Sequence, residues 1–216
     1  MLRDSAVSLI AARCGNRTDL DVRIVAELQY AQEVLEQREF LPWFLLTESS
    51  SPAFTVEVPS TALTGYTGFI REAENDEMGE AFVIDPDTAV WTKLKKAPLS
   101  ELLYANNSVD AETGLPTRYA LTKTDLYISP KPDKAYTVRF RYYATDTVLS
   151  SNIENQWLKY APDLLIGMAG AAVALYTGNV DAAGYFQAQE AKAFDRMVKQ
   201  TTARREAGLT HNMGED

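Results

Sequence analysis

Apolar residues recur with a helical period near the beginning of the chain. The positions that share one helical face are Ile24, Leu28, Ala31 and Leu35. Asp19 precedes this pattern and Pro42 follows it, which predicts an amphipathic helix of about 20 residues that ends near Phe40. We also expect a shorter helix over residues 3–13, closed by Gly15.

The last part of the chain has the pattern of a helical hairpin. Its first arm begins at Pro162, is apolar from Leu164 to Tyr176 and is followed by Gly178, as is typical of a buried helix. The second arm begins near Asp181, and we expect it to end near Ala207. Its predicted apolar stripe consists of Phe186, Ala193, Met197 and Gln200. Small residues of the first arm allow close helix packing, and the candidates are Gly167, Gly170, Ala171 and Ala174.

Between these segments the apolar residues alternate with period two, which indicates strands. The expected strands are 54–58, 66–72, 80–84, the segment DTAVWTKL, 118–121, 125–129 and 135–144. We expect the second and third of these to pair around an acidic tip. A short helix is predicted over residues 97–105, and Asn152 is expected to cap a helix that carries Trp157.

The sequence therefore predicts an α+β protein with a helical bundle core and a β-rich insertion. The core is expected to consist of residues 1–48 and 150–216, and the insertion of residues 49–149. We expect residues 207–216 to form a flexible carboxy-terminal tail. The amino-terminal helix and the carboxy-terminal hairpin must meet to bury their apolar faces, so the β-rich region is expected to project from a helical base.

Composition limits the classes of function. With 216 residues, 46% of them hydrophobic, the chain can bury a substantial core. The single Cys14 excludes an internal disulfide, and the opening residues have no secretory signal, so we expect a reducing cytoplasm. A net charge of −9 argues against a general nucleic-acid binder, although an acidic surface that lines a passage would repel DNA.

Charge is also unevenly distributed along the chain. Acids dominate between Arg71 and Asp87, whereas five bases stand against one acid between Lys192 and Arg205. The asymmetry fits two different partners, but it equally fits a solvated loop and the cationic end of a helix.

Catalytic and metal-binding patterns are sparse. His211 is the single histidine and lies in the predicted tail, and no Cys/His cluster that could bind zinc is present. No catalytic residue, cofactor site or metal site is therefore expected. Asp85 and Asp87 could form a catalytic acid pair, but the DPD sequence first indicates a turn. A carbohydrate-binding or tail-attachment module is the other alternative, if the aromatics of the strands are exposed. These are Tyr119, Tyr127, Tyr136, Phe140, Tyr142 and Tyr143.

The order of several motifs resembles the head-to-tail adaptor, or connector, proteins of tailed bacteriophages, especially short-tailed ones. The first helix carries Asp21, Ile24, Leu28, Ala31, Gln32, Leu35 and Glu36. The later motifs are PWFL (42–45), YAL (119–121), LYISPKP (126–132), VRFRYY (138–143) and NQWLKYAPDLLIGMAGAAVALY (155–176). The resemblance extends from about residue 4 to residue 200.

This resemblance implies a structural virion protein of the neck, assembled in the host cytoplasm, and no enzymatic activity. Such adaptors form a ring, usually of twelve copies, below the portal protein; the ring extends the channel for double-stranded DNA and holds the tail or nozzle protein. A portal contact is expected at the carboxy-terminal residues Lys199, Arg204, Arg205 and His211. A contact with the tail protein or the neighbouring subunit is expected at the acidic tip formed by Glu72, Glu74, Asp76, Glu77 and Glu80.

Overall fold

The computed structural model describes residues 1–63, 68–73, 80–108 and 111–211, with side chains up to Ala207. Contacts divide the chain into two compact units. The helical unit comprises Met1–Leu45 and Thr145–Asp216, and the β unit comprises Leu46–Ala144. The predicted α+β class is confirmed.

The α-helices of the described residues are α1 (Arg3–Arg13), α2 (Asp21–Glu36), α3 (Leu99–Asn107), α4 (Gln156–Tyr160), α5 (Pro162–Tyr176) and α6 (Val180–His211). Short 3-10 turns precede α2 at Thr18–Leu20 and follow it at Trp43–Leu45. The strands are β1 (Leu46–Ser50), β2 (Ser60–Ala62), β3 (Phe69–Glu72), β4 (Ala81–Ile84), β5 (Trp91–Lys96), β6 (Thr113–Gly114), β7 (Arg118–Leu121), β8 (Asp125–Ser129), β9 (Lys131–Pro132) and β10 (Thr137–Ala144).

Helix α5 packs against both α2 and α6. Pro162 occupies its first turn and Gly178 follows it with φ +72°, a conformation that glycine adopts without strain. Most of its side chains are buried, because neighbours cover it on several sides. The predicted helical hairpin of α5 and α6 is therefore confirmed.

Two details of α6 differ from the prediction. Phe186, Ala193 and Met197 are buried, but Gln200 is exposed and Thr201 is buried in its place. Thr201 lies four residues after Met197, so it continues the buried face of a helix with 3.6 residues per turn. The helix also continues past Ala207 to His211, so the predicted helix end is too early. Of the expected tail, residues 212–216 lie outside the described residues.

The β unit is a curled sheet in the order β1-β10-β4-β5-β7-β8-β2, with β3 also paired to β10. Strand β1 runs antiparallel to β10, with Leu46 opposite Tyr143. The chain after β1 stays hydrogen-bonded along β10 and then reaches β8, where β2 pairs. The segment between β1 and β2 thus contacts β10, near one end of the strand order, and β8, near the other end. The sheet therefore curls around its own core. The buried core consists of Phe54, Ala81, Val83, Leu94, Tyr119, Leu126, Ile128, Tyr136, Val138, Phe140 and Tyr142.

Two strand predictions are wrong. Residues 54–58 form no strand, because they cross from β10 towards β8 with backbone hydrogen bonds to Tyr136 and Pro132 and with Glu57 at φ +65°. The predicted strands 66–72 and 80–84 exist as β3 and β4, but each pairs with β10. Strand β10 is long enough to hold both partners on one side.

Among the described residues, no helix combines the length and the apolar character that a membrane crossing requires.

Candidate interaction surfaces

The basic end of α6 is held against the segment that follows α2. The guanidinium carbon of Arg204 lies 3.7 Å from the ring centroid of Trp43. Arg205 Nη2 donates a hydrogen bond of 3.2 Å to the backbone carbonyl of Leu41, and its guanidinium lies over the ring of Phe40. Both arginines therefore contribute to internal packing of the helical unit.

The other predicted portal-contact residues differ in environment. Lys199 is exposed and pairs with Asp195 on the next turn of the same helix, at 2.7 Å. Such an exposed pair is weak and leaves the lysine accessible to a partner. The side chain of His211 lies outside the described residues.

Four aromatic residues form a cluster beside this end of α6. The ring centroid of Phe44 lies 5.1 Å from that of Trp157, nearly perpendicular to it. Trp43 contacts the ring of Tyr160 at 4.8 Å. Trp43 and Phe44 are half-buried, and their ring contacts attach the segment after α2 to α4.

A buried carboxylate connects α2 to the chain segment that precedes α4. Glu36 is 7% exposed, and its Oε1 atom accepts three hydrogen bonds. The donors are Gln32 Nε2 at 2.9 Å, Trp157 Nε1 at 3.0 Å and the backbone N–H of Asp146 at 3.1 Å. Three donors compensate for the loss of water around the charge.

The amino end of α4 is capped by Asn155, so the prediction that Asn152 caps it is wrong. Asn155 Oδ1 accepts the backbone N–H of Leu158 at 2.8 Å, and its Nδ2 donates to Gln32 Oε1 at 3.0 Å. The hydrogen bond to Gln32 connects Asn155 to the network around Glu36. Asn155 is buried and can form this bond, whereas Asn152 is exposed. The sequence signal was available, because Asn155 directly precedes the helix.

The described acids of the acidic tip are engaged inside the β unit. Glu72 accepts a hydrogen bond from the hydroxyl of Tyr119 and pairs with Lys96 at 2.8 Å. Glu80 pairs with Lys93 on the adjacent strand. Glu74, Asp76 and Glu77, which are the remaining residues of the predicted contact, lie outside the described residues.

Asp85 begins a turn, which leaves little support for a catalytic acid pair with Asp87. Its Oδ1 accepts the backbone N–H groups of Asp87 and Thr88 at 2.8 and 3.1 Å, and Lys134 lies beside both carboxylates. These backbone hydrogen bonds, followed by the nearby lysine, lower the pKa of Asp85. The carboxylate is therefore held ionised by a turn.

The aromatic residues of the strands belong to the interior of the β unit. Tyr127 is half-buried, and the other five are buried: Tyr119, Tyr136, Phe140, Tyr142 and Tyr143. A carbohydrate-binding face requires exposed rings, so these residues do not provide one.

Buried tyrosines predict a loss of stability at alkaline pH. Burial, and then the hydrogen bond that Tyr136 donates to Asp133 at 2.7 Å, raise the pKa of Tyr136 to about 12. Between pH 10 and pH 12 the unfolded chain loses this proton while the folded chain keeps it. The free energy of unfolding should therefore fall by up to about 1.4 kcal/mol per pH unit from this group. Denaturant titrations from pH 8 to pH 12 should show a smaller decline in Tyr136→Phe, and equal slopes in both proteins would contradict the expectation.

The small residues of α5 face its neighbours. A Cβ atom added to Gly167 would lie 2.8 Å from the backbone nitrogen of Glu190, and one added to Gly170 would lie 2.6 Å from the ring of Phe186. Ala171 and Ala174 are buried. The two glycines set the close approach of α5 and α6.

No group of three or more His, Cys, Asp or Glu side chains that could hold a metal ion occurs in the part of the chain that the structure describes.

Comparison with known families identifies the class as a bacteriophage head-to-tail adaptor, a structural protein of the virion. A family model described as SU10 adaptor protein matches residues 4–212, and the chain belongs to this family. The match covers both units, and it confirms the resemblance to phage adaptors. No curated protein matches the chain.

Proposed function

We propose that this protein forms a ring below the portal of the capsid and provides the platform to which the tail or nozzle protein binds. The observation that carries the proposal is the family match over residues 4–212, which includes the helical unit, the β unit and α6. The ring is expected to contain about twelve copies, in line with the resemblance to phage adaptors, and to lie at the neck of the virion. It would continue the DNA channel of the portal.

The charge of the protein supports a passive role towards DNA. With a net charge of −9, the chain as a whole repels a polyanion. Double-stranded DNA would therefore pass through the ring without sequence-specific binding. Retention of the genome by adhesion to this surface would not be favoured.

The portal contact is proposed to lie at the end of α6 and in the residues beyond it. Lys199 is exposed there, and α6 continues beyond it to His211. Arg204 and Arg205 would act by holding this end of the helix against Trp43 and Leu41. The acidic tip of the β unit, residues 72–80, is proposed to contact the tail protein or the adjacent subunit.

Electron microscopy of the protein mixed with the portal protein of the same phage tests this proposal. Ring-shaped density stacked on the portal is expected with the intact chain. A truncation after Ala207 keeps Arg204 and Arg205, so the helical unit should remain folded while portal binding weakens at least about tenfold. Lys123→Glu, an exposed change in the β unit, is the control and should bind normally.

Two results would contradict the proposal. If the intact, folded chain adds no density to the portal particle, the adaptor position is wrong. If the truncated chain binds as well as the intact chain, the portal contact lies elsewhere. Reversal of Glu74, Asp76 and Glu77 should reduce tail-protein binding to the same particles, and unchanged binding would exclude the acidic tip.

A further inference from the structure

The chain passes between the helical unit and the β unit twice, and the first connection is packed against α6 and α4. The short turn Trp43–Leu45 directly precedes β1. The backbone N–H of Trp43 donates to Thr201 Oγ1 of α6 at 3.4 Å, and the guanidinium carbon of Arg204 lies 3.7 Å from the centroid of its indole ring. The same ring contacts Tyr160 of α4, with 4.8 Å between the ring centroids. The first connection is therefore held by the end of α6 and by α4.

The second connection, residues 145–147, is bonded to the first turn of α4. Asp146 Oδ2 accepts the backbone N–H groups of Gln156 and Trp157, the latter at 3.1 Å. The backbone N–H of Asp146 donates to Glu36 Oε1 at 3.1 Å, and the indole N–H of Trp157 donates to the same oxygen at 3.0 Å. These hydrogen bonds fix the second connection to α4 and to α2.

Helix α4 is the element that the two connections share. It has five residues, and a helix of this length is stable only when other parts of the chain pack against it. Trp157 is buried and its ring lies 5.1 Å from that of Phe44, while its backbone N–H binds Asp146. Tyr160 contacts the rings of both Trp43 and Phe44. Loss of the contacts at either connection therefore destabilises α4 as a whole, and with it the bonds of the other connection.

We infer that the end of α6, residues 201–205, is a latch that controls both connections to the β unit. While Arg204 lies over Trp43, the first connection stabilises α4, and α4 binds Asp146. When the end of α6 detaches, α4 loosens and both connections open together. A partner that fixes the end of α6 therefore keeps both connections closed, and closed connections in turn favour binding of that partner, because coupling between two sites is reciprocal. The choice of the portal protein as this partner rests on the proposed function.

Hydrogen exchange of the full chain, measured by mass spectrometry, tests the latch from the side of α6. Arg204→Ala removes the contact with the ring of Trp43. The segments that contain the N–H groups of Asp146 and Trp157, whose acceptors lie outside α6, should then exchange about threefold faster. Lys192→Ala removes an exposed base from the same helix and should leave both connections unchanged. Faster exchange confined to residues 40–46, or an equal effect of both substitutions, would overturn the inference.

A substitution at the second connection provides the reciprocal test. Asp146→Ala removes the acceptor of two N–H groups of α4. The segment that contains the N–H groups of Trp43 and Leu45, which are bonded to Thr201 and Pro42, should then exchange at least about threefold faster, because the coupling acts in both directions. Thr145→Ala changes an exposed residue of the same connection and is the control. Unchanged exchange around Trp43 in Asp146→Ala would mean that the two connections open independently, which would overturn the inference.

Addition of the portal protein of the same phage separates this inference from the proposed function. In particles that electron microscopy shows to be complexes with the portal, residues 144–158 should exchange at least about threefold more slowly than in the free chain. Unchanged exchange in such complexes would overturn the response of the latch to the portal. If no complex forms, the proposed portal contact fails, whereas the exchange of the variants alone still decides whether the end of α6 controls both connections.

Discussion

Gly170→Ala is expected to lower the free energy of unfolding by about 2 kcal/mol. The new Cβ atom would lie 2.6 Å from the ring of Phe186, which is buried and cannot move without displacing its neighbours. Overpacking of this kind costs up to about 3 kcal/mol, and the better helix propensity of alanine offsets about 1 kcal/mol. Chemical denaturation of both proteins measures the difference.

Gly184→Ala is the matched control, because it makes the same chemical change in a helix at a position with no neighbouring atom within 4 Å. This variant should be more stable than the unaltered chain by about 1 kcal/mol. Gly170→Ala is thus expected to lower the free energy of unfolding, and Gly184→Ala to raise it. If both substitutions raise it, α5 and α6 can separate easily, which would contradict their close packing at Gly170.

Glu36→Ala is expected to cost about 3 kcal/mol of stability. The substitution removes the acceptor of three N–H groups, from Gln32, Trp157 and Asp146, in a site that water does not reach freely. Each buried donor that is left without a partner costs about 1–3 kcal/mol, and relaxation of the site recovers part of the total. Denaturant unfolding followed by circular dichroism measures the loss.

Glu27→Ala on the same helix is the control for this prediction. Glu27 is half-buried and pairs with the exposed Arg23 one turn away, at 2.9 Å, so its loss should cost about 0.5 kcal/mol. If Glu36→Ala and Glu27→Ala lower the free energy of unfolding by equally small amounts, the buried network does not stabilise the helical unit. If Glu36→Gln retains most of the stability, hydrogen bonding outweighs the charge.

The helices were predictable because their signals are local. Pro162 and Gly178 mark the two ends of α5, and the apolar spacing of α2 depends only on neighbouring turns. The end of α6 was missed because Gly208 is typical of the residue just past the end of a helix. Gln200 was predicted to be buried because the apolar stripe was extended by three residues from Met197. The buried face instead continues four residues after Met197, at Thr201.

Strand pairing was less predictable because it depends on residues far apart in the sequence. The strands β3 and β4 follow each other in the chain, which favoured a hairpin, but the long β10 pairs with each of them. Residues 54–58 alternate like a strand, yet Glu57 at φ +65° interrupts extended structure. Periodicity identifies candidate strands, but it does not identify their partners.

The candidate surfaces were also predictable only where the signal is local in the sequence. The basic character of the end of α6 is evident from the sequence, whereas the contacts of Arg204 with Trp43 and of Arg205 with Leu41 join positions that lie about 160 residues apart. The network around Glu36 is equally non-local, since Gln32 has no sequence feature that indicates Asn155 as its partner.

The ends of the β unit lie side by side. Strands β1 and β10 are antiparallel neighbours, with Leu46 opposite Tyr143, so the chain enters and leaves this unit at adjoining positions. A segment with adjoining ends can be lengthened, shortened or replaced without pulling apart the sequence on either side of it. The β unit is therefore suited to replacement as a whole, while the helical unit keeps its own sequence.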